Sequence, residues 1–367
     1  MEAIKIISVV GTRPNFVKIA PLCEAMEKVN DRIEHILVHT GQHYDMSMSR
    51  DFFETLSIPK PDIHLEVGSG SHAVQTASIM TKFEKVCNDL NPDWVIVVGD
   101  VNSTLACSLV AKKIGLKVAH VEAGLRSFDM SMPEEINRKV TDSIADLFFT
   151  PSIDADENLK REGVDEKKIK RVGNIMIDTL VREIDKADKK NTLERFGMKT
   201  GKFAYATLHR PSNVDDRSAL LSIFESLADI SFKIPIVLPL HPRTKLRLEE
   251  YGLADFATEH ERLILAAPLS YHESICLIKN AAYVITDSGG VQEETTYLGI
   301  PCLTLRPNTE RPVTITIGTN KLTSIENLKT NAEKIMQNTS GKVTAKVPEM
   351  WDGKTAGRIV KVFLELP

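Results

Sequence analysis

Acidic, basic and imidazole side chains of this 367-residue chain collect where short apolar runs end. Asp100 follows Val95–Gly99, Glu122 follows Lys117–Val121, and Glu134-Glu135 follow Pro133, with Arg126, Asn137 and Arg138 close by in sequence. Carboxylates that converge at strand ends repel one another and lose water. That separates their pKa values, so one can act as a base and another as an acid. The plainer alternative is that Asp100 and Glu134 cap the helices that follow them; three acids in such places together favour chemistry. Thr207-Leu208-His209-Arg210 and His241-Pro242 put imidazoles in similar positions, where a histidine serves structure or proton transfer. Two stretches suit an anion. Gly11-Thr12-Arg13-Pro14, with Lys18 one turn later, reads as a phosphate turn or as a tight turn with solvated cations. Thr286-Asp287-Ser288-Gly289-Gly290-Val291-Gln292-Glu293-Glu294 offers two glycines, a hydroxyl and a helix N-terminus to a diphosphate, and Glu294 can take the hydroxyls of a ribose. Ordinary capping with an acidic first turn is the alternative there.

The elements that would position these residues alternate. Ile4–Val10, Ile33–Val38, Trp94–Val98, Lys117–Val121, Leu147–Phe149 and Ile169–Val172 read as strands, with helices predicted over 15–29 and 74–90. Continuous apolar strands separated by helices predict a buried parallel sheet. After the charged stretch Asp185–Lys190 the pattern restarts, with strands at Phe203–Thr207, Ile236–Leu238, Leu263–Ala266, Tyr283–Ile285 and Cys302–Leu305. The expected fold is therefore α/β: two Rossmann-like, doubly wound domains facing a central cleft. The boundaries are expected at 1–180 and 181–352, with the terminal helix (353–367) joined to the first domain. Ligands of such sheets bind beyond the carboxyl ends of the strands, where the marked residues fall.

Composition narrows the function. With 42% hydrophobic and 26% charged residues and a net charge of −4, there is no basic excess to hold a nucleic-acid backbone. The apolar runs are too short to cross a membrane, and the N-terminus enters a strand directly, so a cytoplasmic protein without an export signal is expected. The five cysteines (Cys23, Cys87, Cys107, Cys276, Cys302) are scattered and form no C-x-x-C pair, which argues against a disulfide framework or zinc ribbon.

Together the blocks resemble the non-hydrolysing UDP-N-acetylglucosamine 2-epimerases. The matching stretches are Gly11–Pro14 with Lys18, Thr40–His43, Gly99-Asp100, Val121–Arg126, Pro133–Glu135 with Asn137-Arg138, His209-Arg210, His241-Pro242, Ser288–Gly290 with Gln292–Glu294, and Thr309–Pro312. The resemblance implies a GT-B architecture, a homodimer, and no metal or other cofactor. It implies interconversion of UDP-GlcNAc and UDP-ManNAc through elimination of UDP to 2-acetamidoglucal and its re-addition. Asp100, Glu122, Glu134 and His209 would be the catalytic set. Arg13, Lys18 and Ser288-Gly289-Gly290 would stabilise the diphosphate, Glu294 would bind the ribose, and Arg311 would lie in the nucleotide site with Leu269 and Ser274 near the uracil. An activating UDP-GlcNAc site would use Gln42 and His241. Where the family carries a second glutamine there, this chain has Asp45, whose charge would repel a sugar nucleotide's phosphates. A glycosyltransferase on the same fold, a hydrolysing epimerase releasing ManNAc and UDP, and an inactive sugar-nucleotide sensor are the alternatives. The sensor has no need of several acids at a reacting carbon.

Overall fold

Runs such as Trp94-Val95-Ile96-Val97-Val98 show no polar alternation, as a strand covered on both faces requires, and all five side chains are buried. In a computed structural model of the chain, which describes residues 3–41, 56–188, 191–337 and 346–366, such runs build two parallel sheets. The chain divides into two units, one formed by residues 1–181 and 349–367 and the other by 182–348. The helix Ile175–Asp188 carries the backbone from one into the other.

In the first unit the strands are β1 (Ile4–Val10), β2 (Ile33–His39), β3 (Ile63–His64), β4 (Trp94–Val98), β5 (Lys117–Val121), β6 (Leu147–Thr150) and β7 (Ile169–Arg171). Their spatial order is β3-β2-β1-β4-β5-β6-β7. The second unit has β8 (Ala204–Thr207), β9 (Ile236–Pro239), β10 (Leu263–Ala266), β11 (Tyr283–Thr286), β12 (Cys302–Leu305) and β13 (Asn320–Thr323), in the order β10-β9-β8-β11-β12-β13. Strand order reverses between β1 and β4 and again between β8 and β11, which opens a crevice at the carboxyl end of each sheet. The short edge strands β3 and β13 were not expected from the sequence. Two to four mixed residues at a sheet edge carry little apolar pattern, and pairing to β2 and β12 defines them instead.

Helices cover both faces of each sheet. Ile79 and Phe83 of the helix His72–Leu90 pack on Val95, Val97 and Val118. In the second unit Ala204 and Ala206 of β8 face Phe224 and Leu227, whereas Phe203 and Tyr205 face Leu277 and Ile278. Each such valine, leucine, isoleucine or phenylalanine side chain contributes about 1.5–3 kcal/mol when fully buried. The C-terminal helix Thr355–Leu364 returns to the first unit. Asp178 accepts the Thr355 and Ala356 backbone N–H groups at its start (3.0 and 2.7 Å), and Phe363 packs on Trp94 and Phe149.

The first helix, Arg13–Glu27, contains Pro21, which has no N–H to offer the carbonyl of Val17. The hydroxyl of Thr179 donates to that carbonyl instead. The same bond fixes the helix that bears Lys18 against Ile175–Asp188. Thr179→Val keeps the shape but strands a buried acceptor, so unfolding free energy should fall by about 1–3 kcal/mol. Pro21→Ala restores the helical bond, and on the Thr179→Val background it should recover most of the loss in denaturant titrations. Additive losses in the double variant would refute this account.

Candidate active site

β4 and β5 pair in register with Val98 opposite Val121, so Gly99-Asp100 and Glu122 leave neighbouring strands side by side. The backbone turns sharply at Glu122, whose φ of 73° lies in the left-handed region. A non-glycine residue held there costs on the order of 1–3 kcal/mol, a strain typical of functional positions. Its carboxylate takes a hydrogen bond and ion pair from the Lys18 ammonium, and both side chains are buried. The pair lies over Gly99, where a methyl group would come within 3.0 Å of Lys18 Nζ and 3.3 Å of Glu122 Oε2. The helix start is tied to the same strand end: Asn15 Nδ2 donates to the Val98 carbonyl (2.7 Å), and Thr12 Oγ1 donates to Asn15 Oδ1 (2.8 Å). Arg13 opens this helix.

Asp100 does not cap the next helix, whose N-cap is Val101 with no side-chain cap. Its carboxylate instead binds the guanidinium of Arg138, and its carbonyl accepts from Asn137 Nδ2 (2.9 Å). Arg138 also bonds Glu135 (3.0 Å), which accepts the N–H groups of Ser127 (2.9 Å) and Phe128 (3.0 Å). Burial opposes charge on Glu135, but those backbone donors and Arg138 outweigh it and hold its carboxyl below the usual range. Glu134, one residue earlier, is half-buried in the first turn, and no hydrogen bond or ion pair engages its carboxylate among the described residues. Adjacent glutamates thus divide their work. One braces the loop, and the other does not.

The Val-Glu-Ala-Gly-Leu-Arg block is mostly scaffold. Asp142 is buried and accepts from His120 Nδ1 (2.6 Å), the Gly124 N–H (3.0 Å) and Arg126 Nη1 (2.7 Å). Burial works against its charge, and His120 and Arg126 more than compensate, keeping its carboxyl low. His120 Nε2 reaches back to the Gly99 carbonyl (2.7 Å), so this network sets the β4 and β5 ends relative to each other. Gly124 has φ +80°, and a side chain there would overlap the Ala155 carbonyl.

In the second unit β8 and β11 pair with Thr207 opposite Thr286, and the two hydroxyls bond at 2.7 Å. Two residues past Thr207, His209 Nδ1 lies 2.9 Å from Oδ1 of Asp287, the residue after Thr286. Asp287 is wholly buried, while His209 is 37% exposed. His241 stacks near it, ring centres 5.3 Å apart, and caps the helix Pro242–Glu250 by accepting the Arg243 N–H (3.2 Å). Gln42 lies outside the described residues.

The helix Gly289–Leu298 begins after Ser288 as expected, but Gly289 lacks a side chain for a local reason. A methyl there would come within 2.7 Å of Arg311 Nη1. Arg311 is buried between Glu293 (2.6 Å) and Glu310, and Glu310 also takes Arg306 (2.7 Å). Two of the cations expected to gather on one diphosphate are therefore already matched by acids: Lys18 by Glu122, Arg311 by Glu293 and Glu310. Leu269 is half-buried against the core cluster that includes Leu277 and Val284, and Ser274 sits beside the phenol of Tyr205. Glu294 is buried, and loss of water pushes its carboxyl up to about 8, with Tyr271 partly offsetting this and Glu293 adding to it. All five cysteines are buried thiols, and burial pushes those of Cys87 and Cys302 up to about 12. Among the described residues no cluster of three or more His, Cys, Asp or Glu could hold a metal ion, and no helix is long and apolar enough to cross a membrane.

A family model of UDP-N-acetylglucosamine 2-epimerase matches residues 25–364. The chain belongs to the UDP-N-acetylglucosamine 2-epimerase family. It is 42% identical to the UDP-N-acetylglucosamine 2-epimerase of Methanocaldococcus jannaschii over 98% of both chains. A crystal structure of that epimerase in complex with UDP-GlcNAc and UDP superposes with a TM-score of 0.91, covering 98% of this chain and 99% of that one at 42% identity. The chain is also 41% identical to UDP-2,3-diacetamido-2,3-dideoxy-D-glucuronate 2-epimerase of Pseudomonas aeruginosa, over 91% of this chain and 94% of that one. The two parallel-sheet domains are GT-B-like, as in solved 2-epimerases of the family.

Three residues of this epimerase-family site escaped the sequence reading. Asn15 falls between the quoted Gly11–Pro14 and Lys18, Glu135 stands in a quoted block without a role of its own, and Asp287 reads only as part of a glycine turn. Their signal is burial of a polar group at a strand or helix end, which a sequence does not display.

The Glu294 shift makes a pH prediction. The fold favours the neutral carboxyl, with a value near 4.5 for the exposed group and about 8 in the fold. This contribution to stability is complete below pH 4.5 and is lost as pH rises through 8. Its ceiling is on the order of 5 kcal/mol. Melting curves from pH 5 to 9 should show the native protein losing stability relative to Glu294→Gln as pH rises; parallel curves would refute it.

Proposed function

We propose that this chain catalyses reversible epimerisation at carbon 2, converting UDP-GlcNAc to UDP-ManNAc. The observation that carries the reading is end-to-end identity of 42% with an epimerase of that name whose crystal contains UDP-GlcNAc and UDP. Asp100, Glu122, Glu134 and His209 supply the base and the acid. The base removes the carbon-2 proton; that electron pair forms the carbon 1–carbon 2 double bond as the carbon 1–oxygen bond breaks, and UDP leaves with its electrons. Re-addition reverses the step: a UDP oxygen attacks carbon 1 and a proton arrives on the opposite face of carbon 2. UDP is retained for re-addition, so the enzyme is non-hydrolysing. The phosphates sit at Arg13, Lys18 and the N–H groups of Ser288, Gly289 and Gly290, where the helix terminus stabilises the developing charge. Arg311 completes this wall, Glu294 holds the ribose, and Leu269 and Ser274 lie toward the uracil. Gln42 and His241 form an activating site. The enzyme works as a cytoplasmic homodimer that needs no cofactor.

The 41% identity to the diacetamido-glucuronate 2-epimerase supports a second substrate with the same chemistry. It differs from UDP-GlcNAc at carbons 3 and 6, away from the bonds that break.

Incubation with UDP-GlcNAc alone in deuterated water, followed by proton NMR, should yield UDP-ManNAc with deuterium at carbon 2 of both epimers and only a trace of UDP. Stoichiometric ManNAc and UDP would identify a hydrolysing enzyme, and absence of exchange without an acceptor would identify a transferase or a sensor. Exchange into the diacetamido-glucuronate nucleotide at a higher kcat/KM than into UDP-GlcNAc would reassign the substrate.

Glu122→Gln should abolish exchange yet still bind UDP. It leaves the Lys18 charge buried and unpaired, a loss of about 3–5 kcal/mol in stability. Lys18→Met with Glu122→Gln removes both charges and should restore most of that stability without restoring exchange. Full activity in either variant would remove Glu122 from the mechanism.

A further inference from the structure

Oδ1 and Oδ2 of Asp287 face different groups. Oδ2 accepts three donors that hold the loop after β8: the N–H groups of His209 (3.0 Å) and Arg210 (2.9 Å), and Asn213 Nδ2 (3.0 Å). Oδ1 accepts chiefly the ring of His209 (2.9 Å). Asp287 is wholly buried; loss of water opposes its charge, and His209, Arg210 and Asn213 hold its carboxyl below the usual range. An ionised carboxylate has no hydrogen to give, so the bond requires a proton on Nδ1. In the neutral ring the lone pair then falls on Nε2, the ring nitrogen not engaged by Asp287, in a side chain that is 37% exposed. Among the described residues no hydrogen bond occupies that nitrogen.

From this juxtaposition we propose that Asp287 is the positioning residue of the epimerase: it fixes His209 in the tautomer and orientation that present Nε2 to the sugar nucleotide. The proposal rests on the carbon-2 epimerase reading above. A base or acid acting through Nε2 must have its other nitrogen committed, and a buried anion also stabilises the ring once it has gained a proton. The register Thr207–Thr286 brings these residues together across the point where strand order reverses.

Asp287→Asn separates positioning from loop bracing. Three donors surround the Oδ2 place, so the amide oxygen must occupy it and the loop stays tied. The amide NH2 then faces Nδ1, drives the ring proton to Nε2 and withdraws the lone pair from the substrate side. We expect kcat to fall between about a hundredfold and ten-thousandfold, with KM and the UDP Kd within about threefold of the native values and an unchanged melting temperature. On a His209→Gln background the same substitution should change kcat by less than about twofold, because the group through which it acts is gone. A full multiplicative loss there would make Asp287 a structural residue and overturn the proposal. Nitrogen-15 NMR of the histidine side chains reads the tautomer without turnover. Native protein should show His209 protonated at Nδ1 and Asp287→Asn at Nε2; a native Nε2–H ring, or no change in the variant, also overturns it. A tautomer switch in protein that releases no carbon-2 proton from either sugar nucleotide overturns the epimerase reading alone, leaving the Asp287–His209 arrangement standing.

Discussion

Buried charge has to be matched, and at the carboxyl ends of the two sheets that requirement organises nearly everything else. Asp142 meets His120, Arg126 and the Gly124 N–H; Glu135 meets Arg138 and two backbone donors; Asp287 meets His209, Arg210 and Asn213. An unmatched ion in such a place costs several kcal/mol, a large part of a domain's net stability. Each acid therefore dictates where the loops beside it run. The loops in turn dictate where the remaining side chains stand.

A division of labour follows. Glu135 and Asp142 are closed inside networks that saturate their oxygens, so they are braces. Asp100 and Glu134 keep partial exposure, and Glu122 sits in a strained left-handed turn against one ammonium. Rigid support beneath a partly open group is what general acid–base work requires, because reacting atoms must be held within a fraction of an ångström. In the second domain the same plan uses Asp287 as brace and the imidazole of His209 as the open group. Glu294 departs from it. Burial holds it toward its neutral form, able to donate as well as accept a hydrogen bond, and among the described residues no ion pair reaches it.

The GT-B-like domains are fixed by apolar packing and pairing register, and the register carries chemical consequence. Val98 opposite Val121 and Thr207 opposite Thr286 are contacts of the sheet, yet they decide which strand-end residues become neighbours. The left-handed turn at Glu122 and the Pro21 gap closed by Thr179 show the same coupling, since local irregularities near the site are secured by bonds from elements distant in sequence.

Much of this was legible in the sequence. The apolar runs of β1, β4, β5, β8 and β11 mark buried parallel strands, and the acids, histidines and glycines following them mark the functional edge, because a doubly wound sheet admits ligands nowhere else as readily. The family blocks identify the epimerase family. Tertiary structure alone decided the pairings: Lys18 with Glu122 across 104 residues, His209 with Asp287 across 78, and Arg311 with Glu293 and Glu310. The edge strands β3 and β13 were decided in the same way. Apolar pattern is written along the chain, because each residue's solvent preference is its own. A charge has no preference until its partner is known, and partners are chosen by distance in space.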